Sequence, residues 1–120
     1  MKRLALIALV CSTSAIADLD LAIRECSRTT QNSMEYASCL SRQSETMDKK
    51  VDAAYRAALA RVGKEDVRRR IEIDQKAWLA TREGQCRAKA EEVQGTGMGI
   101  AYSQCLITQS SERLRQLSTP

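Results

Sequence analysis

The stretch EDVRRRIEIDQKAWLATREGQCRAKAEEV, residues 65–93, and the QGTGMG that follows it at residues 94–99 decide the fold. In the first piece Val67, Ile71, Trp78, Arg82 and Cys86 recur at helical intervals and form one stripe. Glu65 and Asp66 stand in the first turn, where negative charge suits the helix dipole. Arg68 with Glu72, and Arg70 with Asp74, are spaced as i,i+4 pairs for the exposed side. The three consecutive arginines therefore read as a solvated helical face rather than a polyanion site. Three glycines in the next six residues make continued helix costly, so residues 94–99 are expected to form a turn or exposed loop.

Helical spacing resumes beyond that break. Tyr102, Cys105, Leu106, Gln109, Arg113, Leu114 and Leu117 repeat at steps of three and four, which predicts a helix over about 100–117. On the other side, Ala37, Leu40, Met47, Val51, Ala54, Tyr55, Ala58, Leu59 and Val62 predict a helix over about 31–62. Thr29 or Thr30 is the candidate cap for its start, since a hydroxyl can accept from a free backbone N–H. Gly63 sits just past its end, where a left-handed residue is favoured. With one Trp, three Tyr and no Phe, the core must come from aliphatic side chains and Ala, which suits thin helices and not a β-sandwich. The expected fold class is all-α: a small disulfide-stabilised bundle of about three helices that includes a helical hairpin.

Residues 1–17 read as a secretory signal peptide: Lys2 and Arg3, the apolar run Leu4 to Val10, then Ala15-Ile16-Ala17 as a small-x-small cleavage site. The run is too short to span a bilayer stably. Val10 precedes Cys11 where a lipid-attachment signal wants a small residue, so simple secretion is expected, to the periplasm or outside the cell. Residues 18–29 then form an N-terminal arm and residues 30–120 the helical domain. Without Lys2 and Arg3, 17 basic residues face 15 acidic ones, a balance too even to indicate nucleic acid.

Removing Cys11 leaves Cys26, Cys39, Cys86 and Cys105. An even number in a short exported chain reads as a disulfide framework, and four cysteines allow three pairings. There is no His and no C-x-x-C spacing, so zinc is not indicated. If the helices on either side of the glycines fold back on each other, Cys86 and Cys105 come opposite, and Cys26 pairs with Cys39. Catalysis has little to stand on, with no His to act as general base and no serine elbow, phosphate loop or metal cluster. The chain is read as a non-enzyme without a cofactor.

At these residues the chain resembles the lysozyme-inhibitor LprI-like family of small exported bacterial proteins, over about residues 25–117. Glu25-Cys26, Thr30-Gln31 and Cys39 resemble the family's opening. Asp48, Val51, Asp52 and Tyr55 resemble its D-x-x-L-N-x-x-Y stretch, with Val for Leu and Asp for Asn. Trp78-Leu79, Arg82 and Cys86 resemble its W-L-x-x-R-x-x-x-C core. Cys105-Leu106, Ser110, Arg113 and Leu117 resemble its closing pattern, with Ser in place of Thr.

Trp78 is expected to fill the centre of the hairpin. Arg82 is expected to pair with Asp48 or Asp52, with Tyr55 joining that network. These positions and Arg113 read as architecture. The resemblance implies a protein partner, lysozyme, and inhibition by binding; the alternatives are an envelope interaction or immunity-type module and a structural, stress-protective envelope protein. A lysozyme's glycan cleft holds two carboxyl groups. The expected element to enter it is the segment Gly95, Thr96, Gly97, Met98 and Gly99, with Met98 as an adaptable apolar tip. Animal lysozymes are strongly cationic, so steering favours an acidic inhibitor. This chain has to rely on shape and on local carboxylates, for which Glu91 and Glu92 are the candidates.

Overall fold

Asn32 starts the longest uninterrupted part of the domain. Its side chain accepts a hydrogen bond from Glu35 N at 2.9 Å, while the Glu35 carboxylate accepts from Gln31 N at 2.8 Å. This reciprocal pair satisfies two backbone donors that a helix start leaves free. Thr29 and Thr30 do not cap this helix. Their hydroxyls donate back to the carbonyls of Glu25 and Cys26, closing the preceding one.

The computed structural model describes the backbone of residues 2–119 and the side chains of residues 16–95 and 97–119. Over the described residues the chain is all-α, with α1 at Lys2–Thr29, α2 at Ser33–Ala60, α3 at Glu65–Glu91 and α4 at Thr96–Ser118. The expected bundle of about three helices gains one, because residues 18–29 are part of α1 rather than an irregular arm. Leu19, Ala22 and Cys26 give that segment a narrow apolar stripe, and tertiary packing stabilises it. The signal-peptide reading falls mostly on residues 1–15, whose side chains lie outside the described ones. Ile16 and Ala17 are exposed, and Asp18 accepts a hydrogen bond from Ser111.

The glycine-rich break is shorter than expected. Only Glu92–Gly95 separate α3 from α4, and Thr96 to Gly99 form the first turn of α4. Among the described residues only Gly95 has positive φ, at 70°, so the chain reverses there and the helix restarts at once. Gly97 lies so close to Val93 that a Cβ would come 2.6 Å from its Cγ1. Here tight packing at the turn overrides glycine's poor helix propensity. Gly63 has no left-handed conformation, because α2 ends one turn earlier with Arg61 in the helical region.

The helix α4 is central, packing on α2 most extensively, then on α3 and α1, while α2 and α3 scarcely meet. Its buried serines at 103, 110 and 111 are small enough to let three helices approach. One core cluster joins Ala22, Cys26, Cys39, Leu40, Met47 and Ile107; another joins Cys86, Cys105 and Leu106 beneath Tyr102. Each cluster contains a disulfide, Cys26–Cys39 with Cα atoms 5.6 Å apart and Cys86–Cys105 at 5.4 Å. The hairpin pairing is therefore present, and a second bond ties α1 to α2.

Candidate functional site

Trp78 lies on α3, half-buried, facing the gap toward α2. It does not fill the centre of the hairpin; Cys86, Cys105 and Leu106 do. The Arg82 guanidinium carbon lies 4.9 Å from the ring centroid and that of Arg113 lies 5.4 Å away. Two cations on one indole are held there by the ring quadrupole and by their own carboxylates.

Each arginine has its set of acceptors. One turn along α3 from Trp78, Arg82 reaches across to α2, where its Nη1 donates to Asp48 Oδ1 at 2.5 Å and to Ser110 Oγ of α4 at 2.9 Å. Its Nε is buried without a hydrogen-bond partner. Arg113 comes up from α4. Its Nε donates to the buried Gln75 at 2.9 Å, and its Nη2 donates to Asp74 at 3.0 Å. Both guanidinium side chains are nearly enclosed, at 11% and 8% exposure. Together they knit α2, α3 and α4 where α2 and α3 scarcely meet.

Of the two carboxylates expected for Arg82, Asp48 is the partner. Asp52 pairs at 3.0 Å with Arg56, one turn along its own exposed helix face. Tyr55, three residues further, is half-buried and takes no part in the Asp48–Arg82–Ser110 hydrogen bonds. Periodicity did not reveal Asp74 as the Arg113 partner, because its i,i+4 spacing pointed to Arg70. Arg68 likewise turns away from Glu72 and donates to Leu59 O at 3.0 Å. Asp74, Gln75 and Trp78 fall at steps that share a helix face, the one signal that was available.

A second polar contact braces the hairpin. Tyr102 OH donates to Glu83 at 2.5 Å, and Arg87 donates to the same carboxylate at 2.7 Å. The tyrosine hydrogen bond, followed by that of Arg87, lowers the Glu83 pKa below its ordinary 4.5. The same bond to Glu83, and then burial, raises Tyr102 above 10.0. At the hairpin tip Val93 and Met98 are exposed beside Glu91 and Glu92. Gly95 and Gly97 shape the turn, Gly99 continues α4, and the Thr96 side chain lies outside the described ones.

Among the described residues no group of His, Cys, Asp or Glu is placed to hold a metal ion, and no helix is long and apolar enough to cross a membrane. No curated protein and no solved structure matches the chain. The family model of Lysozyme inhibitor LprI matches residues 25–117, a span that runs from the residue before Cys26 to the last buried leucine of α4 and contains both disulfides and both arginine clusters. The chain belongs to the Lysozyme inhibitor LprI family.

Proposed function

We propose that the protein is an exported lysozyme inhibitor that acts by protein–protein contact. Membership over residues 25–117 carries this reading. Export is supported by the charged, then apolar, then small-x-small order of residues 1–17. Two disulfides suit an oxidising compartment, the periplasm or the exterior.

The tip of the α3–α4 hairpin is the element assigned to cleft entry. It is narrow, the Cys86–Cys105 bond stiffens it from behind, and Met98 offers a flexible apolar contact. An inserted tip would exclude glycan from between the lysozyme's two catalytic carboxyl groups.

The test is cell-wall lysis by lysozyme with purified, oxidised mature protein in molar excess. Suppressed lysis, lost after reduction of the disulfides and weakened by Met98→Asp, is the expected outcome. Undiminished lysis at large excess, against several lysozyme types, refutes the proposal.

A further inference from the structure

Helices α2 and α3 both pack on α4 yet scarcely meet, so a trough lies between them. Toward the α2 C-terminus Ala58, Val62, Ile71 and Leu117 line a hollow of about 590 Å³. Further along the same two helices Val51, Gln75, Trp78, Leu79 and Arg82 line a recess of about 170 Å³, with Asp48 and Asp52 at its edge. Leu79 is 42% exposed.

The charges here are sorted by depth. Arg82 and Arg113 are enclosed, while their partners Asp48 and Asp74 face outward, with side chains 43% and 70% exposed. Asp52, at 56%, is held only by the still more exposed Arg56, and such a surface pair is weak enough to exchange partners. A molecule arriving over Trp78 therefore meets apolar wall and the exposed carboxylates of Asp48 and Asp52 ahead of the enclosed Arg82, which holds only Oδ1 of Asp48, although the chain carries a formal charge of +4.

We infer that this recess, building on the inhibitor reading, is where the protein grips a cationic lysozyme. One lysine or arginine of the enzyme enters it. The aliphatic stem lies on Leu79 and Trp78, and the head group is met by Asp48 and Asp52. Long basic side chains suit such a site because stem and charge separate along their length. The local carboxylates supply the complementarity that the overall charge does not. The recess lies about 20 Å along α3 from the hairpin tip, from the rise per residue of a helix, so the two contacts can be altered separately.

Titration calorimetry with egg-white lysozyme tests the inference, using the oxidised parent, Asp52→Lys, Leu79→Glu and the tip variant Met98→Asp. Both recess positions are exposed, and circular dichroism verifies the fold of each variant. Asp52→Lys and Leu79→Glu are each expected to weaken binding about tenfold, with the Asp52→Lys loss shrinking as salt rises. Unchanged affinity in both overturns the recess and leaves the inhibitor reading intact.

If the parent binds no lysozyme, the inhibitor reading falls, and hexalysine decides the recess. Trp78 is the chain's sole tryptophan and reports directly. A saturable emission change with hexalysine, absent in Asp52→Lys, sustains a site for basic side chains. An emission that hexalysine leaves unchanged overturns it.

Discussion

A tryptophan in a helical stripe reads as core, and for Trp78 that reading fails in an instructive way. The ring is half-buried and its neighbours are two guanidinium groups rather than leucines. Trp78→Ala should therefore cost about 1–2 kcal/mol, the scale of cation–π contact, and not the larger loss of a cavity in a closed core. Arg113→Ala should cost more, about 2–3 kcal/mol, because it leaves Gln75 buried with its acceptor unpaired. Urea unfolding of both variants settles the order, and a larger loss for Trp78→Ala would restore the core reading. A further residue-level test concerns pH. Glu83 titrates lower in the folded chain, so its contribution is present above pH 4.5 and lost as pH falls through the folded value. Tyr102 titrates higher, so its contribution is present below pH 10.0 and lost as pH rises through the folded value. Tyr102→Phe should remove the hydrogen bond that dominates both shifts. Stability measured against pH should then differ from the parent most between these limits, and the two curves should converge beyond each. A constant gap from acid to base would mean that Tyr102 acts through packing alone.

At the scale of helices, glycine separates two kinds of position. Gly84 lies inside α3, and a Cβ there meets nothing within 4 Å. Gly84→Ala should raise stability by about 1 kcal/mol through helix propensity. Gly95 holds the reversal with φ of 70°, and Gly95→Ala should cost about 1–2 kcal/mol for the left-handed backbone alone. Thermal melts read both, and equal effects would show that the turn is not held in that conformation. The same contrast explains what was legible in the sequence. The stripes of α2 and α3 place their ends within two residues of those observed, because charged and apolar faces alternate clearly there. The expected start of α4, at about residue 100, falls four residues late because propensity weighs each glycine alone, whereas Gly97 is fixed by its approach to Val93. Residues 18–29 of α1 read as an arm because Leu19, Ala22 and Cys26 make a stripe one residue wide. The resemblance put Asp48 among the expected partners of Arg82, but Asp74–Arg113 was not legible, since the i,i+4 spacing of Asp74 points to Arg70 on its own helix.

At the scale of the whole molecule, the question is what holds a bundle whose core contains no phenylalanine. The two disulfides lie inside the two core clusters, so each ties together the aliphatic side chains that surround it. They close segments with separations of 13 and 19 residues, which in the chain-entropy model is worth about 3 kcal/mol each. A domain of this size has about 5–15 kcal/mol in all, so the pair accounts for a large share of it. Cys26→Ser with Cys39→Ser should lower stability by about 3 kcal/mol and release α1, the helix held mainly by that bond and by α4. Hydrogen exchange over residues 18–29 should then accelerate well before the rest of the chain. Cys86→Ser with Cys105→Ser should cost a similar amount but loosen the hairpin tip instead. The two bonds share no contact cluster, so their losses should add. The chain lacking both should be close to its unfolding midpoint at body temperature. If that quadruple variant melts no lower than either double one, the bonds constrain one common segment, and the division of the bundle into two cross-linked halves is wrong.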